Sequence, residues 1–179
     1  MRIVVAAFAA LLAIGAMPAR AEVTASSPSA FVSEGRAEIA ADPGAAWAAL
    51  IQVENWWAGA HTYSGAAANL SLEPSAGGCW CERWSDNSVE HGRVVMAGEV
   101  GGVRTLRVLG GFGPLQAMGV SGVLTYTISS HANGAQVTMS YRVSGDSGLG
   151  LDQLAAIVDQ VQMEQFGRLV RFVETGSPE

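Results

Sequence analysis

The sequence predicts an α+β domain in which a curved antiparallel sheet of about seven strands wraps round a long C-terminal helix. Segments with alternating apolar and polar residues follow one another between turn-forming residues, as in antiparallel sheets with one face on a core. The C-terminal stretch carries apolar residues at three- and four-residue spacing, which indicates an amphipathic helix. The helical segments are segregated from the strands, and this arrangement is typical of α+β proteins.

The first 21 residues predict a secretory signal peptide. One arginine precedes a long apolar run, and Ala19-Arg20-Ala21 has the small-x-small form of a cleavage site. The apolar run is short for a membrane span, and no later stretch is long and apolar enough to be one. An uncleaved N-terminal anchor is the alternative. The expected location is therefore periplasmic or secreted, with no stable membrane span after cleavage.

The domain is predicted to cover residues 31–175, after a Ser/Ala/Pro-rich linker at residues 22–30. The segment "FVSEGRAEIA" alternates with period two and predicts a half-buried strand. Asp42 is a good N-cap and Pro43 suits the first helical position, so a short helical pair is expected next.

Six further strands are predicted between this helical pair and the C-terminal helix. Their sequences are "NLSLEP", "GCWCERW", "SVEHGRVVMAGE", "VRTLRVLGG", "VSGVLTYTISS" and "AQVTMSYRVSG". A glycine-rich corner, "GFGPLQAMG", precedes the fifth of them, and "HANG" forms the hairpin turn between the last two. In the last strand, apolar Val137, Met139, Tyr141 and Val143 alternate with polar residues, which predicts one buried face.

Charge and composition exclude several classes of function. The formal net charge of −6 argues against binding to nucleic acid or to anionic membrane surfaces, which attract basic patches. All ten basic residues are arginine, so Schiff-base chemistry on a lysine and a lysine-containing P-loop are both excluded. No cofactor is predicted, and no metal site is predicted because the HExxH spacing and similar patterns are missing from the sequence.

The order of elements resembles the helix-grip, START-like (SRPBCC) superfamily, which includes polyketide cyclases, pollen-allergen-type proteins and heat-shock ATPase activator-like domains. The local motifs that agree with the resemblance are "WW…HTYSG", "AGGCWCERW…VEHGRVV" and "LGGFGPLQAMGVSGVLTY", and the resemblance covers nearly all of the mature chain. The resemblance implies a cavity between the sheet and the last helix. Members bind lipids, steroids or hormones, or act as cyclases or hydrolases. The superfamily shares no catalytic motif, so no catalytic residue is carried over.

The hairpin of "GCWCERW" and "SVEHGRVV" is predicted to turn at Ser85-Asp86-Asn87-Ser88, which sets Glu82 opposite His91. Two tryptophans favour the interior, so their face is expected to line the cavity. That face carries Trp80, Glu82, Trp84, Val89, His91, Arg93 and Val95. The opposite face is expected to be exposed, with an Arg83–Glu90 ion pair on it.

Glu82 and His91 are the candidate catalytic residues. A carboxylate beside an imidazole orients the ring and raises its basicity, so His91 is a candidate general base. Arg93 is a candidate to hold a substrate carboxylate or an oxyanion. The simpler interpretation is that these residues form a satisfied polar network that lines a wet cavity. A third interpretation is that they polarise a bound ligand without catalysing a reaction.

The remaining candidate ligand contacts come from several segments of the chain. His61 and Tyr63 lie in the loop at the expected cavity mouth, and the last helix carries glutamine amides near its apolar stripe. The full set of predicted ligand-binding residues is Trp80, Trp84, Arg93, His61, Tyr63, Gln162 and Gln165. The expected partner is a small apolar or amphipathic molecule. The alternatives are a cofactor-free cyclase or hydrolase that uses Glu82 and His91, and a scaffold that binds nothing.

Cys79 and Cys81 are the two cysteines of the chain, and they flank a tryptophan on a predicted strand. Residues i and i+2 of a regular strand lie on one face with Cα atoms about 7 Å apart, at the far end of the disulfide range. The leading interpretation is therefore a pair of small residues on the outer face. A disulfide is the alternative and requires a bulge in the strand. A metal site formed by the two thiolates lacks accompanying Cys/His ligands.

Overall fold

The computed structural model describes residues 20–179, with side chains from Val23 onward. Most of the predicted signal peptide, residues 1–21, therefore lies outside the described residues. The stretch predicted to be a linker, residues 22–30, mostly forms a β-strand instead. Strand β1 occupies Arg20–Ser27 and pairs with the next strand at the edge of the sheet. Its serines and alanines are small strand residues, and Val23 packs against the core, so serine and proline content alone gave the wrong prediction.

Within residues 20–179 the sheet has eight antiparallel strands, one more than predicted, because β1 adds an edge strand. The spatial order is β1-β2-β8-β7-β6-β5-β4-β3. The bounds of the other strands are Ala30–Ile39 (β2), Leu70–Leu72 (β3), Cys79–Trp84 (β4), Asn87–Val100 (β5), Val103–Leu109 (β6), Ser121–His131 (β7) and Gly134–Ser144 (β8). The alternation predicted for the last strand is confirmed, since every second residue of β8 is buried.

Three helices accompany the sheet within residues 20–179: Pro43–Leu50 (α1), Val53–Trp56 (α2) and Leu151–Thr175 (α3). The predicted N-cap of α1 is confirmed, because the Asp42 carboxylate accepts hydrogen bonds from the amides of Gly44 and Ala45. Short 3₁₀ turns lie at Gly59–His61, Ala67–Asn69, Gly113–Met118 and Ser147–Leu149. Among the helices of residues 20–179, none has both the length and the apolar character needed to cross a bilayer.

Helix α3 lies across one end of the sheet, on β1 and β2, and confirms the predicted α+β arrangement. Gly35 allows this close approach, because a Cβ at that position would lie 3.0 Å from the Phe166 ring. The buried Ser33 hydroxyl donates a hydrogen bond to the Asp159 carboxylate and ties β2 to the helix. Helix α3 packs closely only against the β1–β2 end of the sheet. Space therefore remains between the N-terminal half of α3 and the other end of the sheet, which is formed by β4, β5 and β6.

Candidate functional site

A cavity of about 530 Å³ lies between the N-terminal half of α3 and the far end of the sheet. The 3₁₀ turn at Gly59–His61 and the segment Gly113–Met118 form its other walls. Most of its surface is apolar. Its lining residues are Trp57, Ala60, His61, Thr62, Tyr63, His91, Phe112, Gly113, Pro114, Leu115, Met118, Tyr141, Leu154, Ile157, Val158, Val161 and Gln162. The cavity that the sequence resemblance implied is therefore present.

Glu82 lies on β4 behind one wall of this cavity and is completely buried. Its carboxylate accepts hydrogen bonds from the amides of Tyr63 (3.0 Å) and Ser64 (2.6 Å) and contacts the His91 Nε2 atom (2.9 Å). Burial alone would raise the pKa of Glu82, but the hydrogen bonds from Ser64, Tyr63 and His91 outweigh it and hold the pKa below its ordinary value. Glu82 is therefore ionised at neutral pH and fixes the 62–64 loop against the sheet.

The structure brings Glu82 and His91 together, although the predicted strand register is wrong. The turn between β4 and β5 contains two residues, Ser85 and Asp86, instead of four, so Glu82 pairs directly with Val89. The register then shifts between Trp80 and Cys81, which leaves His91 as the extra residue of a β-bulge. The His91 side chain is buried beside the Glu82 carboxylate.

Arg93 faces away from the cavity, so its predicted inward orientation is wrong. The bulge at His91 exchanges the two faces of β5 for the residues that follow it. The Arg93 guanidinium pairs with the Glu90 carboxylate and donates to the Gly77 carbonyl oxygen at 2.9 Å. The predicted Arg83–Glu90 ion pair is replaced by this Arg93–Glu90 pair, and Val95, also predicted to point inward, is exposed for the same reason.

His91 lines the cavity. The ring is only 6% exposed and stacks beside Phe112, with ring centroids 6.2 Å apart and planes 14° apart. Because the Glu82 carboxylate is ionised and can only accept, the contact at Nε2 places a hydrogen on that nitrogen. Among residues 20–179, no protein group is hydrogen-bonded to Nδ1. In the neutral ring, Nδ1 is therefore free to accept a hydrogen bond from a bound molecule.

The two predicted loop residues both line the cavity mouth. His61 Nε2 lies 3.1 Å from the Glu164 carboxylate on α3, and this contact connects the loop to the helix. The Tyr63 hydroxyl donates to the Gly113 carbonyl oxygen at 3.2 Å, so it connects the two segments that border the opening. Within residues 20–179, no group of three His, Cys, Asp or Glu side chains is placed to hold a metal ion.

The two glutamines of α3 differ in their surroundings. Gln162 is 2% exposed and lines the cavity, and its Oε1 atom has no hydrogen-bond partner among the described residues. Gln165 is fully buried next to the cavity wall, where its Oε1 atom accepts a hydrogen bond from the Ala58 amide at 2.7 Å. Gln165 therefore supports the loop that follows α2, and Gln162 faces the cavity.

The two predicted tryptophan contacts do not line the cavity. Trp80 is 1% exposed and packs against Trp57 and Phe112, at ring-centroid distances of 5.2 and 5.3 Å. It forms a layer behind the wall, and the half-buried Trp84 lies at the end of the hairpin.

Sequence reasoning missed the wall formed by the glycine-rich corner. Phe112, Leu115 and Met118 face the cavity from this segment. Their signal was a set of apolar residues interspersed with turn-forming glycine and proline in "GFGPLQAMG", which was interpreted only as a bend.

Tyr141 holds this corner against the sheet. Its hydroxyl donates to the Gly110 carbonyl oxygen at 3.0 Å and accepts from the Phe112 amide at 3.1 Å. Burial raises the pKa of Tyr141 to about 12, so the hydroxyl remains protonated at any physiological pH. The position of the Phe112 ring, and with it one wall of the cavity, is therefore fixed from β8.

Cys79 and Cys81 form a disulfide, so the leading interpretation of two separate small residues is wrong. Their Cα atoms are 5.3 Å apart, closer than the value of about 7 Å for a regular strand. The β4–β5 register also shifts beside the bridge, between Trp80 and Cys81, although the extra residue of the bulge, His91, lies on β5 and not on the cysteine strand. The disulfide therefore lies next to Glu82 in the chain.

Three solved structures show which known architecture this chain shares. A STAR-related lipid transfer protein from Xanthomonas axonopodis matches with a TM-score of 0.51 and 15% identity, over 92% of this chain and 96% of that one. An uncharacterised protein from Rhizobium leguminosarum matches with a TM-score of 0.54 and 12% identity, over 88% and 98% of the two chains. A hypothetical protein from Helicobacter pylori matches with a TM-score of 0.52 and 12% identity, over 83% and 89%.

No family model matches the chain, and no curated protein sequence matches it. At identities of 12 to 15%, the structural likeness shows the fold alone. The chain has the START-like, helix-grip fold that the sequence resemblance predicted.

Proposed function

We propose that this protein binds a small apolar or amphipathic molecule in the cavity between α3 and the sheet. The observation that carries the proposal is the apolar cavity of about 530 Å³, a size typical of sites for drug-sized ligands. Its few polar groups, among them His91 and Gln162, would orient the ligand, while the apolar walls would provide most of the affinity. The shared fold with a protein named as a STAR-related lipid transfer protein supports the same function.

The protein is further proposed to act in the periplasm or outside the cell. The signal-peptide pattern of residues 1–21 supports export. The Cys79–Cys81 disulfide also supports it, since disulfides persist mainly in oxidising compartments.

Native mass spectrometry of the full chain, expressed for export to a bacterial periplasm and purified without detergent, tests both proposals. We expect a protein mass that corresponds to cleavage after Ala21, together with an adduct that is lost on denaturation. A chain that retains its N-terminal 21 residues would contradict cleavage, and a chain that is missing from the periplasmic fraction would contradict export.

Filling the cavity is expected to abolish binding. Val158 on α3 lines the cavity, and tryptophan at this position would occupy much of the space. With N-phenyl-1-naphthylamine as a neutral fluorescent probe, we expect Val158→Trp to lower affinity more than tenfold, a loss of about 1.4 kcal/mol. Gln160→Trp is the matched control, because Gln160 is exposed on the same helix and does not line the cavity. Equal binding by both variants would place the probe elsewhere.

A second candidate function is catalysis by the Glu82–His91 pair, without a cofactor. The buried 2.9 Å contact between carboxylate and imidazole favours it, because this arrangement orients a general base. Hydrolysis of 4-nitrophenyl esters of short and medium chain length is a direct assay. An enzyme is expected to lose 10²- to 10⁴-fold in turnover on His91→Ala and to retain probe binding. Ester hydrolysis that His91→Ala does not reduce would exclude His91 as the base.

A further inference from the structure

The cavity contains a buried acceptor that the protein leaves without a hydrogen bond. Gln162 is 2% exposed and lines the cavity, and its Oε1 atom has no partner among residues 20–179. A buried polar atom without a hydrogen bond costs roughly 1 to 3 kcal/mol, so such atoms are rare unless something else satisfies them. Because Gln162 is a lining residue, a donor group on a ligand that contacts its amide would satisfy this atom.

The polar side chains of the wall direct their hydrogens away from the cavity. Four neutral donors on the lining residues each donate to a backbone carbonyl oxygen, at distances of 2.8 to 3.2 Å. These donors are the Thr62, Tyr63 and Tyr141 hydroxyls and the Trp57 indole. The Gln162 amide nitrogen is the one side-chain donor of the lining residues without a protein partner in residues 20–179. The wall therefore offers a ligand many acceptor atoms and few donors.

The two histidines of the wall follow the same pattern. His91 Nε2 contacts the Glu82 carboxylate at 2.9 Å, and His61 Nε2 contacts the Glu164 carboxylate at 3.1 Å. Each carboxylate accepts a hydrogen bond from the nitrogen that it contacts. In the neutral ring, the other nitrogen is therefore an acceptor. A permanent cation is missing from the lining residues described, and the Glu82 and Glu164 carboxylates each contact a lining histidine. An anionic head group would therefore meet no permanent opposite charge here.

We infer that the ligand is an uncharged amphipathic molecule with at least one hydroxyl group, an alcohol or a phenol, which donates to Gln162 Oε1 or His91 Nδ1. This inference rests on the proposed binding function and narrows it to a chemical class. Carboxylates, phosphates and sulfates are excluded from the class because the described lining residues supply no permanent cation and, apart from the Gln162 amide nitrogen, no free side-chain donor.

Matched ligands with one skeleton and different polar groups test this inference. The set is 2-naphthol, 2-methoxynaphthalene and 2-naphthoate at pH 7.5, each measured by displacement of N-phenyl-1-naphthylamine. Dodecan-1-ol, its methyl ether and dodecanoate form a second set with an aliphatic skeleton. We expect the hydroxyl compound of at least one set to bind about tenfold more tightly than its ether and its carboxylate. Equal affinity for alcohol and ether in both sets, or tighter binding of a carboxylate, would overturn the inference.

The variant Gln162→Leu tests the contribution of the Gln162 amide to ligand preference separately from that of the other lining residues. We expect this variant to lose the preference for the hydroxyl over the ether while its affinity for the ether is unchanged or higher, and Gln160→Leu on the exposed side to keep the preference. Should Gln162→Leu fail to fold, the alcohol and ether affinities of the wild-type chain decide the question alone. Failure of every probe, including N-phenyl-1-naphthylamine, would contradict the binding function itself. Binding of that probe without a hydroxyl preference would contradict only the ligand class.

Discussion

Replacing Glu82 by leucine is expected to lower the free energy of unfolding by about 3 kcal/mol. The carboxylate is completely buried and accepts hydrogen bonds from the Tyr63 and Ser64 amides and from His91. Without it, these donors remain in the interior with no acceptor, and each unsatisfied group costs roughly 1 to 3 kcal/mol. The loop that carries Tyr63 would also lose its attachment to β4, so the cavity mouth should open.

Urea denaturation of the wild-type and variant chains measures this effect. Glu99→Leu is a suitable control, because Glu99 pairs with Arg104 on the surface with 52% of its side chain exposed. Exposed ion pairs contribute about 0 to 1 kcal/mol, so the control should unfold close to the wild type. A loss of under 1 kcal/mol in Glu82→Leu would mean that the loop finds other hydrogen-bond partners and that Glu82 does not organise the site.

The contribution of Glu82 to stability should also depend on pH in a definite direction. Its pKa in the folded chain is lower than the ordinary value of 4.5, so folding favours the ionised form. The stabilisation from this ionisation is fully present above the ordinary value and is lost as the pH falls through the lower, folded value. The difference in unfolding free energy between wild type and Glu82→Gln should therefore be largest near neutral pH and shrink in acid.

The fold could be predicted from the sequence because its periodic patterns are regular where the sheet is regular. The alternation in β8 predicted the correct buried face, and the apolar spacing near the C-terminus predicted the long helix α3. The edge strand β1 was not predicted, because its residues are mostly small and polar. It forms a strand because it pairs with β2. Strand pairing at the edge of a sheet depends on tertiary contacts, which cannot be predicted from local composition.

The site could be predicted only in part, because one bulge decides its geometry. Glu82 and His91 are in contact as expected, although in a different strand register, and Arg93 lies on the face opposite to the one that a regular hairpin predicts. The residue that follows the bulge, Gly92, has no room for a side chain, because a Cβ there would lie 2.6 Å from the Val108 side chain. That approach involves β6, so the hairpin sequence by itself does not reveal it.

Gly110→Ala is expected to destabilise the fold by about 3 kcal/mol, at the upper end of the usual cost of overpacking. A Cβ on Gly110 would lie 2.2 Å from the His91 carbonyl oxygen and 2.7 Å from the Gly92 Cα atom. Both are backbone atoms of the bulge, so no side-chain rotation can relieve the clash. Either β6 moves away from β5 or the bulge is lost, and in both cases His91 moves relative to Glu82.

Gly98→Ala is the matched control in the neighbouring strand β5. No atom lies within 4 Å of the position where its Cβ would be, so its stability should remain within about 0.5 kcal/mol of the wild type. The comparison is made by urea denaturation and by titration with N-phenyl-1-naphthylamine. Gly110→Ala should lose both stability and probe affinity, because Gly110 also accepts the Tyr141 hydrogen bond that fixes the Phe112 wall. Equal behaviour of the two alanine variants would show that the bulge is not what places His91 in the cavity.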